Sequence, residues 1–382
     1  MAYIFGDHAK TITQRLLQNS DSLPSLNSAN SKESIGFKQT SYSASITISE
    51  KITTVGKIES KSQDKISGNK ISTEFHYVSS NIPNAFMYTD GARHQSVFDE
   101  HRNRVEEYSY GKLPHFSKNR LMYPAGESID GLSLNLCGTL AISGGNYAHW
   151  LIDGYSMLAM ILDRYDISSF DHVVVPTLKH DFHTDSLLNI GITADKIIEI
   201  MPLDCLQFAN LVCASPPRDK SSSVVPGWVI DFYQEYASKV TNANAYPKRV
   251  YISRKDAPGR NIRNESSLVA MLKQYGFENI ELSQYRYDEK ISIFKNAEIV
   301  VGLSGAGLTN LMFARSDLKV IEIMPKTSAN YLYASISAYL DIQHEVLLFE
   351  KNTALKELNA YYGSFEIDQS ELEALVVDAI ST

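Results

Sequence analysis

Short apolar strands alternate with helical patterns from about residue 131 to residue 350, and this alternation constrains the fold more than any other feature of the chain. Alternating strands and helices are typical of parallel sheets with crossover helices. The predicted strands are 132–142, 173–176, 196–201 and 208–214 in the first half, and 250–253, 280–282, 299–303, 320–324 and 346–349 in the second half. The pattern therefore predicts an α/β protein.

The length of 382 residues favours two domains, because one hydrophobic core rarely serves so long a chain. We predict two Rossmann-like domains at 131–225 and 245–350, joined by a segment rich in proline and serine at 215–226. Residues 1–130 are predicted to form a polar, β-rich N-terminal extension. A helix at 365–382 has Leu372, Leu375, Val376 and Ile380 on one side and is predicted to dock on one domain.

Charge and composition limit the function classes. The formal net charge is -8, which argues against a nucleic-acid binder, because such binding depends on neutralising phosphates. The three cysteines form no CxxC pair and no cluster with histidine, so no metal site is predicted. No apolar run reaches the ~18–20 residues that span a bilayer. We therefore expect a cytoplasmic protein in a reducing compartment, with peripheral membrane contact left open.

An apolar strand at 300–303 runs into a glycine-rich turn and then a predicted helix start. Exposed N–H groups and the positive end of the helix dipole favour an anion such as phosphate. The turn predicts a nucleotide or sugar-nucleotide ligand, although glycines in such turns also serve close helix–strand packing. The candidate binding residues are Ser304, Gly305, Ala306, Gly307, Leu308, Thr309 and Asn310.

Two further groups lie at predicted strand ends in the second half. Arg254 and Arg260 follow a buried strand, and the forked donors of arginine match the oxygens of a diphosphate. The alternative is a solvated loop in which arginines pair with Asp256 and Glu265. Glu322, at the end of a later strand, is a candidate for ribose hydroxyls or, equally, a solvated carboxylate.

His149 and Asp153 lie four residues apart at a predicted helix start that follows a strand and two glycines. This spacing places both side chains on one helix face, where they can project toward the carboxyl edge of a sheet. Either group could remove a proton from a sugar hydroxyl. Alternatively, Asp153 has only a structural role and holds His149 in the first helical turn.

A serine hydrolase is a further alternative. Residues 302–306 nearly match the GxSxG nucleophile elbow around Ser304, and Glu322 and His344 follow in the hydrolase order of acid and histidine. The last small position of the elbow is alanine, and the histidine follows the serine closely in the chain.

Three ordered motifs together resemble glycosyltransferase family 61. They are residues 147–153, residues 251–254 with Arg260 and residues 264–265, and residues 301–313. The resemblance implies an inverting glycosyltransferase of GT-B-like architecture, with two Rossmann-like domains facing a cleft. The C-terminal domain would hold a nucleotide sugar and the N-terminal domain a glycan or lipid-linked glycan acceptor. Relatives that make bacterial capsule or lipopolysaccharide fit the predicted cytoplasmic location, peripheral at the inner membrane.

The chain departs from that family at Ser304, which replaces the histidine that the family usually has before Gly-Ala, and at residues 288–290, where the family's acid-Gln pair is altered to Asp-Glu-Lys. Ser304 could donate one hydrogen bond to a phosphate but no positive charge. No DxD motif is present, so the sequence does not require a bound metal, and no tightly bound cofactor is expected. A non-catalytic protein that binds sugar nucleotides is the remaining alternative.

Overall fold

The structure, a computed structural model, forms two compact units. The first comprises residues 1–44 and 74–220, and the second comprises residues 45–73 and 221–382. The chain therefore passes between the two units three times, at residues 44–45, 73–74 and 220–221. The described residues are 38–47, 52–54, 65–67, 70–89, 94–110, 126, 128–138, 145–218, 223–241, 244–256, 261–326, 330–349 and 365–381.

A mixed sheet forms the centre of the first unit, although its residues 45–47, 65–67 and 70–73 fall within the range 45–73 that belongs to the second unit. Its strand order is β6-β5-β4-β10-β7-β8-β9, and two further strands, β1 and β3, pair with β4. The strands are β1 (Lys38–Thr47), β3 (Lys65–Ser67), β4 (Lys70–Thr89), β5 (Gln95–Phe98), β6 (Arg104–Tyr110), β7 (Ser128–Asn135), β8 (His172–Pro176), β9 (Ile197–Ile200) and β10 (Cys205–Ala214).

The two halves of this sheet differ in direction. Strands β10, β7, β8 and β9 run parallel, as the alternating pattern predicts. Strand β10 also pairs antiparallel with β4, which continues through antiparallel pairs into β5 and β6. Residues 74–110, assigned above to an N-terminal extension, therefore belong to the same sheet as the first α/β domain. Strand pairing of this kind depends on long-range contacts, which local pattern does not reveal.

The helix predicted from residue 147 to residue 164 is broken into pieces. It is α-helical over Tyr147–His149, π-helical over Trp150–Gly154, 3₁₀ over Tyr155–Met157 and α-helical over Leu158–Ile161. We call residues 147–161 the segmented helix. The break coincides with Gly154, whose φ and ψ of -119° and -75° lie far from α-helical values. Helix α1 (Asp181–Leu188) packs beside it through an edge-to-face contact of Trp150 with His183.

The second unit is a doubly wound parallel sheet. Its strand order is β12-β11-β13-β14-β15-β2, and every pair in it is parallel. The strands are β2 (Ile52–Thr54), β11 (Arg249–Ile252), β12 (Glu278–Ile280), β13 (Ile299–Leu303), β14 (Lys319–Pro325) and β15 (Gln343–Phe349). The predicted strands of the second half are thus confirmed, with small shifts at their ends.

Helices cover both faces of this second sheet, which explains why its strands are apolar throughout. On one face, α3 (Glu265–Gln274) and α6 (Gln369–Ser381) share a core with strand residues such as Val301 and Ile321. On the other face, Tyr233 and Tyr287 meet Phe313 edge to face. The elements of that face are α2 (Gly227–Lys239), α4 (Tyr287–Asn296), the 3₁₀ helix Ala306–Phe313 and α5 (Leu332–Tyr339).

The C-terminal helix α6 packs on the second unit through the side predicted from the sequence. Leu372 and Val376 are fully buried, and Leu375 and Ile380 are partly buried against the same core. Within the described residues, no helix has both the length and the apolar character needed to span a membrane.

Because α6 packs against the core through one side only, substitutions on its two sides should change the free energy of unfolding by different amounts. Leu372→Ala should lower the free energy of unfolding by about 2–5 kcal/mol, because it leaves a cavity in the core. Val377→Ala should change it by less than about 0.5 kcal/mol, because Val377 is 44% exposed. Urea unfolding measures both values, and equal effects of the two substitutions would contradict the docking.

Candidate functional site

In the first unit, the candidate residues gather at the carboxyl ends of β7 and β10. These neighbouring parallel strands are not consecutive in the chain, so their connections leave the sheet in different directions. Ligands of α/β sheets bind outside strand ends of this kind. Gly138, three residues beyond β7, lies so close to the carbonyl group of Asp153 that a Cβ atom would collide with it. The segmented helix is thereby held over these strand ends.

His149 and Asp153 are in contact, as their spacing predicts. Nδ1 of His149 lies 2.7 Å from Oδ2 of Asp153, and Asn146 caps the helix start by accepting hydrogen bonds from the N–H groups of Ala148 and His149. The His149 side chain is 32% exposed, whereas the Asp153 side chain is 1% exposed. The histidine is therefore accessible from solvent and the carboxylate is not.

Arg218 is the third member of this group. Its Nε donates to Oδ1 of Asp153 at 2.8 Å, and its Nη2 donates to Oδ2 at 3.1 Å. The guanidinium side chain is only 6% exposed. Two parallel hydrogen bonds to one carboxylate fix both its position and its orientation.

This surrounding keeps Asp153 ionised. Burial alone would raise the pKa of the carboxyl group, but the charge of Arg218 and the hydrogen bond from His149 outweigh burial and hold the pKa of Asp153 below its usual value. An ionised Asp153 accepts the proton of Nδ1, so the neutral imidazole of His149 has its lone pair on Nε2. The geometry leaves Nε2 as the nitrogen that can accept a proton.

In the second unit, Arg254 and the glycine-rich turn meet at one point. The strand order places β11 beside β13 while β12 lies on the other side of β11, so the topological switch point lies between β11 and β13. Arg254 follows β11 and Gly305 follows β13. A Cβ atom on Gly305 would collide with Nη1 of Arg254, so the absent side chain provides the space for this guanidinium group.

The other two glycines of the turn have a packing role. A Cβ on Gly307 would lie 2.9 Å from the Leu282 side chain, and a Cβ on Gly302 would touch Ile252 at 3.4 Å. Both glycines allow close approach of neighbouring elements, which is the alternative considered for the whole turn. Only Gly305 borders the cationic side chain.

Residues 304–310 differ in accessibility. Ala306 and Gly307 are partly exposed, whereas Ser304, Leu308, Thr309 and Asn310 are buried. The 3₁₀ helix starts with a hydrogen bond from the Leu308 N–H to the Gly305 carbonyl group, and the Ser304 N–H donates to Ile323. The N–H groups of Ala306 and Gly307 precede that first intrahelical bond and are the amides of this turn that suit an anion.

A buried network supports the strand end that carries Arg254. Glu265 accepts hydrogen bonds from the hydroxyl groups of Tyr251 at 3.1 Å and Ser253 at 2.9 Å. The Asp256 side chain accepts from the Ser283 N–H at 3.3 Å. Glu265 and Asp256 thus each accept hydrogen bonds from residues other than Arg254. Arg260, the second predicted diphosphate ligand, lies outside the described residues.

Glu322 does not occupy the position predicted for a ribose ligand. It is fully buried within β14, and its Oε2 lies 3.1 Å from Nε2 of His344, whose Nδ1 lies 2.7 Å from the hydroxyl group of Ser337. A carboxylate enclosed in this way offers nothing to a ligand at the sheet edge. Both nitrogens of His344 are engaged by groups other than Ser304, so the residues of the hydrolase alternative do not form a triad.

Arg218 is the residue that sequence reasoning missed. It stands in the segment 215–226, whose prolines and serines indicate a connection between domains. The available signal was its position four residues after the predicted strand 208–214, which places it at the same sheet edge as the motif at residues 147–153. Within the part of the chain that the structure describes, no group of three or more His, Cys, Asp or Glu side chains could hold a metal ion.

The buried pair of Asp153 and Arg218 predicts how stability depends on pH. The pKa of Asp153 is lower in the folded than in the unfolded chain, so its stabilisation is present above the unfolded value of 3.8 and is lost as pH falls through the folded value. Asp153→Asn removes the carboxylate charge that pairs with the buried Arg218 and should cost about 3–5 kcal/mol at pH 7.

The difference in unfolding free energy between the wild type and Asp153→Asn should shrink below pH 3.8, where the carboxyl group of the unfolded wild type takes up a proton before that of the folded chain does. Urea unfolding at a series of pH values measures this difference. A difference that stays constant down to pH 2 would contradict the assignment of an ionised, stabilising Asp153.

Comparison with known proteins agrees with the resemblance noted from the three motifs. No curated protein matches the chain. Residues 147–321 match the family model described as Glycosyltransferase 61. This range includes His149, Asp153, Arg218, Arg254 and Gly305. The match supports a similarity of this part of the chain to glycosyltransferase family 61.

Proposed function

We propose that the protein is an inverting glycosyltransferase that moves a sugar from a nucleoside-diphosphate sugar to a hydroxyl group of a glycan or lipid-linked glycan. The observation that carries the proposal is the contact of the Arg254 guanidinium group with Gly305, at the switch point of the second sheet. A cation beside open amides at such a point suits a diphosphate.

The second unit would bind the donor. Arg254 offers forked donors to the phosphate oxygens, and the N–H groups of Ala306 and Gly307 add two neutral donors beside it. The Glu265 network holds the backbone ahead of Arg254, so the guanidinium group starts from a fixed position. Charge on the leaving diphosphate grows in the transition state, and Arg254 would stabilise that charge.

The first unit would supply the base and hold the acceptor. Of the two candidates, His149 suits the role better, because it is partly exposed and its Nε2 has a lone pair when Asp153 accepts the Nδ1 proton. Asp153 is buried and its oxygens are occupied by His149 and Arg218. We therefore assign proton removal to His149 and the orientation of its ring to Asp153.

The proposed reaction is a single displacement. The acceptor oxygen attacks the anomeric carbon, the bond from that carbon to the diphosphate oxygen breaks, and the acceptor proton moves to Nε2 of His149. The electron pair of the broken bond leaves with the nucleoside diphosphate beside Arg254. Attack from the face opposite the leaving group inverts the anomeric configuration.

The remaining assignments rest on the family resemblance. The division of donor and acceptor between two units is that of a GT-B enzyme. A role in bacterial surface polysaccharide synthesis, at the cytoplasmic side of the inner membrane, fits a lipid-linked acceptor. Measurement of transfer onto lipid-linked and onto soluble glycans would decide between these acceptor classes.

Donor binding gives the first test. Arg254→Gln should weaken the binding of nucleoside diphosphates about 10- to 100-fold, because it removes a charge-assisted hydrogen bond. Arg249→Gln is the matched control, since Arg249 stands at the other end of the same strand and donates to the Tyr275 carbonyl group at 2.6 Å. Calorimetric titration with a panel of nucleoside diphosphates measures both, and equal affinity of the two variants would contradict the proposal.

Gly305→Ala should have nearly the same effect as Arg254→Gln, although it removes no polar group. The added methyl group takes the place of Nη1 of Arg254 and must displace the guanidinium group. The same titration measures this effect, with thermal unfolding as a check that the variant is folded. Wild-type affinity in a folded Gly305→Ala variant would show that the position of Arg254 does not matter.

Turnover gives the second test. His149→Gln should lower the transfer rate about 10²- to 10⁴-fold, the range for loss of a general base, while nucleoside diphosphate binding stays unchanged. His172→Gln is the control, because His172 stands at the amino end of β8, away from the carboxyl edge. A wild-type rate in His149→Gln would refute the base assignment. Donor binding without any transfer in the wild type would instead favour a non-catalytic binding protein.

A further inference from the structure

The functional role of Arg218 follows from its contacts. Arg218 donates to both oxygens of the Asp153 carboxylate, and it shares Oδ2 with Nδ1 of His149. Asp153 therefore contacts both His149 and Arg218. The His149 side chain is accessible to solvent, whereas the side chains of Asp153 and Arg218 are buried. A buried ion pair is weak evidence for a role in stability alone, because apolar residues of similar volume often stabilise a core as well.

We propose that Arg218 is a positioning residue for the transfer reaction, which acts through Asp153 to fix the His149 ring with the proton on Nδ1 and the lone pair on Nε2. This inference rests on the proposed function, because it assigns Arg218 to the same base. Arg218 itself touches neither the sugar nor the diphosphate in this scheme.

Arg218 acts on the His149 ring in two steps. First, a carboxylate that accepts from an arginine on one side can present only its remaining lone pairs to the histidine, so the direction of the Nδ1–H bond is set by the guanidinium plane. Second, a histidine tautomer is fixed by the hydrogen bond of its other nitrogen. Loss of Arg218 would leave Asp153 free to rotate and to take up a proton, and either change would remove the fixed lone pair on Nε2.

The charged groups that act on Asp153 are Arg218 and His149. Removal of the Arg218 cation raises the pKa of Asp153, and a protonated Asp153 no longer accepts the Nδ1 proton of His149. The base needs an ionised Asp153 to act, so the acid limb of the pH profile should move to higher pH. A residue that only supports the fold would lower the rate equally at every pH.

The experiment compares Arg218→Gln, Arg218→Lys and Arg104→Gln in the full chain. Arg218→Gln should lower kcat about 10- to 100-fold, move the acid limb of the kcat profile to higher pH and leave nucleoside diphosphate affinity unchanged. Arg218→Lys keeps the charge, so its acid limb should stay near that of the wild type while part of the loss in kcat remains. Arg104, which donates to Ser96 and Glu106 in the same unit, is the control and should change neither quantity.

A second readout needs no activity. In protein labelled with ¹⁵N-histidine, the His149 resonance, assigned by its loss in His149→Gln, should show the Nδ1-protonated tautomer at neutral pH in the wild type. In Arg218→Gln, this tautomer should lose its dominance. If Arg218→Gln does not fold, Arg218→Lys gives the same comparison with a smaller expected change.

Three outcomes overturn the inference: a wild-type pH profile and kcat in a folded Arg218→Gln variant, a change in donor affinity without a change in kcat, or an Nε2-protonated His149 in the wild type. The proposed function fails in a different way, with no donor binding and no transfer by the wild-type chain. The tautomer measurement remains decisive for Arg218 in that case.

Discussion

Both candidate sites depend on one constraint of sheet topology. Each lies at a pair of parallel strands that are neighbours in the sheet but not in the chain. At such a pair, the connections leave in opposite directions and the strand ends stay uncovered. The first unit has this arrangement at β7 and β10, and the second has it at β11 and β13. His149, Asp153 and Arg218 surround the first opening, and Arg254 and Gly305 surround the second. The candidate functional residues therefore lie where the topology leaves room for a ligand.

The two arginines at these strand ends, Arg218 and Arg254, differ in burial and in the carboxylates around them. Arg218 is enclosed and its charge is balanced by Asp153. Arg254 is only partly buried, and the nearby carboxylates of Glu265 and Asp256 are bound to other groups. The hydroxyl groups of Tyr251 and Ser253 both donate to Glu265 and fix this carboxylate within the unit.

Much of the second unit could be predicted from the sequence, because its strands are apolar and bounded by turn residues. Strand 299–303 agrees to the residue with β13, and the contact of Arg254 with Gly305 follows from two strands that end at one edge of a parallel sheet. The first unit was less predictable. The pairing of β4 with β10 joins segments more than a hundred residues apart, and strand propensity contains no information about such partners.

Arg218 shows the same limit at the level of one side chain. Prolines before it and charged residues after it are typical of a linker, and only the register of β10 with β7 brings it over Asp153. The break of the segmented helix at Gly154 was equally hidden, because helical periodicity does not distinguish an α-helix from a π-helical turn of five residues.

Glu322 and His344 show why chain order is weak evidence for chemistry. They follow Ser304 in the order that a hydrolase requires, and they do hydrogen-bond to each other. Their contact has a simpler origin in strand register. His344 pairs with Val320 and Glu322 pairs with Val346, so the two polar side chains stand two residues apart on one face of adjacent strands. That face is covered by helices, and the third group that reaches the histidine is Ser337 of α5. The order of Ser304, Glu322 and His344 in the chain suggests a triad, but the contact between Glu322 and His344 arises from the packing of buried polar groups. The pleat of the sheet sets the direction of each side chain, and this direction decides whether the side chain can meet a substrate.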